Sequence, residues 1–190
     1  MEVKITVLQI IGATLGLLYL YLEYKVNIYL WVVGLIMPIV HGYLYFEKGL
    51  YADVGMNAYY ILAGIYGWIV WRNRKPKGKK TYEISRMPLL NWLYCGCVFI
   101  VADVVITYIL INHTDSTVPY ADAFTTALSI IAMWMLSRKY VEQWLVWLVV
   151  DVVTTCLYFY KGIPISASLY ALYSCLAVAG YMRWRKIMKT

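Results

Sequence analysis

The sequence predicts an all-α fold: a bundle of seven membrane-crossing helices, built as two parallel three-helix repeats joined by a linker helix. Three observations carry that prediction. The 190 residues are 63% hydrophobic and only 14% charged, with a mean hydropathy of +0.64, a composition of the membrane class. Apolar segments fill nearly the whole length, seven of them near the roughly 20 residues a helix needs to cross the hydrocarbon. An internal repeat relates segments on either side of the fourth.

The segments fall at about residues 5–22, 28–46, 52–71, 89–111, 120–137, 142–160 and 165–183, with ends uncertain by roughly two to four residues. The first follows Met1-Glu2-Val3-Lys4, which lacks a basic start and a small-residue cleavage pattern, so it reads as a retained helix. The second holds Met37-Pro38, a kink signal, and His41, read as an interhelical hydrogen-bonding group rather than a proton carrier. The third carries Asn57 and Tyr60 one turn apart. The fourth, the linker, contains Cys95, Cys97 and, at mid-span, Asp103; its cysteines and Cys156 and Cys175 lie in apolar runs and read as small hydrophobes. The fifth places Asp122, Thr125, Thr126 and Ser129 along one face, the sixth carries Trp144, Trp147 and Asp151, and the seventh ends in Arg183, Arg185, Lys186 and Lys189. The chain is expected to be a single transmembrane domain over residues 1–190, with repeats at 5–71 and 120–183 and the linker at 89–111.

The formal net charge is +7, but the basic residues cluster at segment ends, which excludes a nucleic-acid surface and fits a positive cytoplasmic face. Residues 72–86 hold Arg72, Arg74, Lys75, Lys77, Lys79, Lys80 and Arg86 and are expected inside. Alternation then brings Arg138-Lys139 and the basic C-terminus to the same side, giving an N-terminus outside and a C-terminus in the cytoplasm.

A shift of 113 positions, the separation of Trp31 and Trp144, superposes Tyr45-Phe46 on Tyr158-Phe159, Lys48-Gly49 on Lys161-Gly162, Tyr60 on Tyr173, Gly67 on Gly180 and Trp71-Arg72 on Trp184-Arg185 without a gap. Helices so related cross in the same sense, so the repeats are parallel, and a substrate site is expected between the halves near the midplane. The symmetry breaks at Gly34 and Pro38, which stand where Trp147 and Asp151 stand.

On a helix Trp144, Trp147 and Asp151 share one face. Two indoles and a carboxylate suit an organic cation, and an intramembrane acid is expensive enough to imply function. Asn57, Tyr60, Asp103 and Asp122 complete the candidate substrate-binding set; the plain alternatives are helix packing for Asn57 and Tyr60, bridging for Asp103 and capping for Asp122. No nucleotide-binding or metal-ligand motif is present, and neither a metal nor a cofactor is expected. A membrane-embedded enzyme acting on a lipid or quinone would need clustered acids or histidines, and a retinal receptor would need a lysine inside segment seven; neither is found.

The Trp-x-x-Trp-x-x-x-Asp stretch after Arg138-Lys139, the run Tyr-Ala-Asp-Val-Gly-Met-Asn-Ala-Tyr-Tyr at 51–60 and Gly67-Trp68-x-x-Trp71 resemble the PnuC-type vitamin transporters over all seven segments. The resemblance implies a SWEET-like three-plus-one-plus-three bundle in the bacterial inner membrane, carrying a cationic water-soluble vitamin down its gradient. It also implies a cytosolic vitamin kinase that traps the product. An Asp at position 151, where the riboside branch has Asn, is similar to the thiamine-carrying PnuT branch, so thiamine is the expected vitamin, with nicotinamide riboside as the alternative. The chemistry of the two rings leaves both open, since each carries a quaternary aromatic nitrogen. The lipid bilayer is the remaining partner, and homo-oligomer formation stays open.

Overall fold

The structure, a computed structural model, describes residues 2–47, 51–73, 84–114 and 116–189. Among these residues there are seven α-helices: α1 (Glu2–Tyr24), α2 (Leu30–Glu47), α3 (Tyr51–Asn73), α4 (Leu89–His113), α5 (Pro119–Ser137), α6 (Gln143–Tyr160) and α7 (Pro164–Lys189). Each expected segment is recovered. The four helices from α4 onward are long and apolar enough to cross a membrane, and α2 contributes a shorter apolar stretch, Leu30–Tyr43. Helices are the form a membrane demands, because each backbone donor is satisfied within its own segment. Pro38 sits inside α2. The basic residues at positions 74, 75, 77, 79 and 80, and Lys48-Gly49 of the repeat, lie outside the described residues.

The chain divides into two compact units, Met1–Tyr82 and Glu83–Thr190. In the first, α2 packs against both α1 and α3; in the second, α4 packs on α5, α5 on α6 and α6 on α7. The expected linker helix thus associates with the helices that follow it. Within the second unit α5 covers one edge of α4, where Cys95 is buried and Phe99 meets Phe124 edge-on at 5.6 Å. Leu93, Ile100, Val101, Val104 and Tyr108 are exposed along α4, an apolar surface suited to lipid.

The turns show how the helices stop. After α6, Gly162 takes φ +71, its N–H reaches the Phe159 carbonyl at 3.1 Å and the Ile163 N–H reaches the Tyr158 carbonyl at 2.9 Å. This is a glycine-closed helix end, and Pro164, which needs no N–H partner, opens α7. The same pair of bonds ends α5, where Lys139 has φ 58: Lys139 N–H to the Leu136 carbonyl at 2.9 Å and Tyr140 N–H to the Met135 carbonyl at 3.1 Å. It also ends α1, where Val26 has φ 55: Val26 N–H to the Glu23 carbonyl at 2.9 Å and Asn27 N–H to the Leu22 carbonyl at 2.8 Å. Val26 and Lys139 are equivalent under the 113-residue shift, as are all four carbonyl partners. The two turns share no residue identity, yet each places a non-glycine residue in the left-handed region, at a steric cost.

Candidate functional site

The start of α6 is set by what surrounds the α5–α6 turn. Residues 84–88 run beside it: Ser85 N–H donates to the Lys139 carbonyl at 3.2 Å, and Val141 N–H donates to the Ser85 carbonyl at 3.0 Å. Met87 N–H donates to Glu142 Oε2 at 3.0 Å, and Asn91 Nδ2 donates to Tyr140 Oη at 2.9 Å. Ile84 and Met87 are buried in the process. The chain leading into α4 therefore clamps the turn from which Trp144, Trp147 and Asp151 project.

These three residues diverge in environment. Trp144 is 1% exposed. Its indole lies against Gly180 of α7, where an added Cβ would come within 2.6 Å of the ring, and it meets Trp184 edge-on at 5.7 Å. The equivalent residues of the first unit do the same: Trp31 is 1% exposed, covers Gly67 and meets Trp71 edge-on at 5.7 Å. In this geometry Trp144 packs against α7 at Gly180 and Trp184. The Nε1 donors of both Trp31 and Trp144 are buried and without a hydrogen-bond partner.

Trp147 lies one turn further on, half-buried against the cluster of Ile131, Ala132 and Met135 from α5, Cys95 from α4, Met87 and Val146. Its Nε1 is also buried without a partner. Asp151, four residues on, is 7% exposed. Among the described residues its carboxylate accepts no hydrogen bond, although its backbone carbonyl accepts one from Thr155 Oγ1 at 2.7 Å. About 6 Å of helix rise separates Trp147 from Asp151, so an unpartnered donor and an unpartnered acceptor stand one turn apart in an apolar helix. That arrangement would complement a planar group offering an acceptor and a donor along one edge, and the carboxylate would favour positive charge.

The remaining candidates have their own local surroundings. Asp122, at the start of α5, pairs with Lys161 Nζ at 3.2 Å and accepts from Ser116 Oγ at 2.8 Å, tying the first turn of α5 to the last turn of α6. Thr125, Thr126 and Ser129 bond back to carbonyls of their own helix. Asp103 is half-buried on α4. Asn57 and Tyr60 belong to the first unit, where Asn57 marks a close approach of α3 to Gly42 of α2 and Tyr60 stacks edge-on with Tyr59 at 5.5 Å.

Glu23 and Gln143 are among the buried polar residues that escaped the sequence reading. Glu23 of α1 and Gln143 of α6 are both 0% exposed. Their repeat equivalents, Leu136 and Leu30, are equally buried, so each unit places one polar and one apolar residue at the same two positions, with the helices exchanged. The repeat gave no signal for them, because the shift of 113 pairs each with a leucine.

Comparison with known proteins agrees with this architecture. The chain is similar to the nicotinamide riboside transporter PnuC of Escherichia coli, 25% identical over 201 residues that cover 93% of this chain and 84% of that one. The PnuC protein of Neisseria mucosa is 29% identical, with 94% of this chain and 72% of that one covered. The riboflavin/roseoflavin transporter RibM of Streptomyces davaonensis is 28% identical, with 93% and 83% covered. A crystal structure of the vitamin B3 transporter PnuC superposes with a TM-score of 0.71 at 26% identity, covering 93% of this chain and 80% of that one. The model of the nicotinamide mononucleotide transporter family matches residues 6–186, and the chain belongs to that family of multi-pass membrane vitamin transporters.

Proposed function

We propose that this chain carries nicotinamide riboside, or a vitamin with the same recognition chemistry, across the membrane by facilitated diffusion. The observation that carries the reading is the Trp147–Asp151 pair: an indole N–H that is buried without a hydrogen-bond partner among the described residues and, one turn on, a carboxylate that is 7% exposed. Nicotinamide riboside brings a pyridinium ring for the indole and the carboxylate. Its carboxamide brings an oxygen for the Trp147 N–H and an NH₂ for Asp151. Riboflavin, the substrate named for one relative, is uncharged but has the same edge in its imide. That supports donor–acceptor matching as the shared requirement, with charge as a further selection. Thiamine remains a second reading because Asp151 is an acid: its aminopyrimidine offers the same edge and its thiazolium the charge. The relatives named above are described as nicotinamide riboside or riboflavin transporters, so nicotinamide riboside takes precedence over the thiamine expected from the sequence.

The same reading includes two parallel three-helix repeats joined by α4, the N-terminus outside and a kinase in the cytosol that traps the vitamin as a phosphate ester. The matching Trp–Gly–Trp packing and the matching turns at Val26 and Lys139 support the repeat.

A titration of purified protein with nicotinamide riboside, riboflavin and thiamine, followed by tryptophan fluorescence, tests the assignment. Trp147→Ala removes an aromatic contact of about 2 kcal/mol when desolvated, a loss of roughly thirtyfold in affinity. Asp151→Asn is expected to weaken the cations more than riboflavin. Unchanged affinities in both variants would remove this pair from the site.

A further inference from the structure

Two ring contacts fix the register of α6 against α7 within the second unit. Trp144 meets Trp184 edge-on at 5.7 Å, and Tyr158 meets Tyr170 edge-on at 5.3 Å. Fourteen residues separate these contacts on each helix, 144 to 158 and 184 to 170, so the helices run antiparallel and in step between them. Asp151 stands midway on α6 and Ala177 midway on α7, which puts the two at one level. The neighbours of Ala177 on the same α7 stripe are Tyr173 and Gly180. Ala177 ends at a methyl group, and Gly180 is covered by Trp144. Tyr173, one turn or about 6 Å along the axis, is therefore the member of this trio with a side chain long enough to meet a ligand held at Asp151.

Tyr173 is half-buried, and Tyr170 meets it edge-on at 5.5 Å. Tyr158, Tyr170 and Tyr173 thus make a chain of three rings, each oriented by the next, that ends one turn from the level of the acid. On α6, Tyr158 lies seven residues beyond Asp151 and so continues the stripe that carries Trp147 and Asp151. The first unit does not repeat this arrangement. It has Asn57 where Tyr170 stands and Pro38 where Asp151 stands, and its Tyr60, equivalent to Tyr173, meets the adjacent Tyr59 instead. The middle ring and the acid therefore occur together in one unit.

Resting on the function proposed above, we infer that Tyr173 is a specificity-determining residue that lays its ring against the vitamin beside Asp151, and that Tyr170, braced by Tyr158, is the positioning residue that orients it. The ring face adds attraction for a cation to the charge of the carboxylate. Edge-on packing of Tyr170 restricts the tilt of that face.

The test is calorimetric titration of purified full-length protein with nicotinamide riboside and with its reduced dihydro form, nearly equal in shape but charged and neutral respectively. Wild type, Trp147→Ala and Asp151→Asn come first: if the riboside does not bind, or neither variant weakens it, the underlying reading fails before Tyr173 is reached. With that reading intact, Tyr173→Leu is expected to weaken the cation about tenfold, between the exposed and desolvated limits for a cation on an aromatic face, and the neutral form less than about threefold. Tyr173→Phe, which keeps the ring, should stay within about twofold of wild type. Tyr170→Leu should cost the cation about threefold and Tyr170→Phe nothing measurable. In the double variant Tyr173→Leu with Tyr170→Leu, the loss should equal that of Tyr173→Leu alone, the non-additivity of a residue that acts through another. Equal losses for both ligands in Tyr173→Leu, or affinities within about twofold of wild type, would overturn the role of Tyr173. Losses that multiply in the double variant would overturn the positioning role of Tyr170. Should Tyr173→Leu fail to fold, Tyr173→Met decides by the same ratio of the two ligands.

Discussion

Replacing Gly180 by Ala tests whether Trp144 is a packing residue. The new Cβ would stand 2.6 Å from Trp144 Cζ2 and 2.7 Å from Cδ2 and Cε2, about 0.8 Å short of ordinary van der Waals contact at its nearest point. The indole cannot simply retreat, because Trp184 meets it edge-on at 5.7 Å and the residue is 1% exposed. Overpacking of this kind costs about 1–3 kcal/mol, which for a chain of this size lowers the melting midpoint by roughly 2–4 °C per kcal/mol. A thermal melt of detergent-solubilised protein, read by size-exclusion chromatography, measures the drop. Trp144→Phe removes one ring and should restore part of the loss in the double variant, a non-additivity expected of residues in contact. Gly67→Ala with Trp31→Phe should behave alike in the first unit, where the same packing recurs. The reasoning is refuted if Gly180→Ala melts like wild type, or if Trp144→Phe abolishes vitamin binding while leaving the midpoint unchanged.

Asp122→Asn should leave vitamin affinity within about twofold and cost no more than about 1 kcal/mol, since the Asp122–Lys161 pair is partly solvated; a large affinity loss in the titration would return Asp122 to the site. A single cysteine at position 77 is expected to react with an impermeant maleimide only from the cytoplasmic side, and one at position 115 only from outside, as the basic residues of 72–86 require; reversed labelling would invert the proposed orientation. Proteoliposomes without an ion gradient should equilibrate the vitamin in both directions, and enclosing a vitamin kinase with ATP should turn this into net accumulation. Uphill uptake driven by a proton or sodium gradient alone would refute facilitated diffusion.

What could be read from the sequence depended on whether the feature is written in residue identity or in geometry. Helix positions follow from apolar length, and the end of α6 from Gly162 and Pro164, because those residues have few other conformational uses. The ends of α1 and α5 gave no such signal. Their turns are defined by two backbone hydrogen bonds and a left-handed residue, which is Val26 in one and Lys139 in the other. Trp144 and Trp147 looked alike because spacing fixes the face of a helix but says nothing of what covers it; Gly180 covers the first and not the second.

The packing of Tyr19 over Gly34 was hidden for a further reason. An ungapped comparison pairs Tyr19 with Ala132 and Gly34 with Trp147, and scores two mismatches. In space, each unit conserves the sum of a large and a small residue at the helix crossing while changing which helix supplies the large one. A core tolerates such volume-conserving exchange, so the repeats could diverge in chemistry without losing their packing. The buried polar positions changed hands in the same manner, from Glu23 on α1 to Gln143 on α6. The difference of charge matters most, because a carboxylate in an apolar helix is retained only against a steady energetic cost. The two units thus keep one backbone plan while each buries an acid on a different helix, Glu23 on α1 and Asp151 on α6.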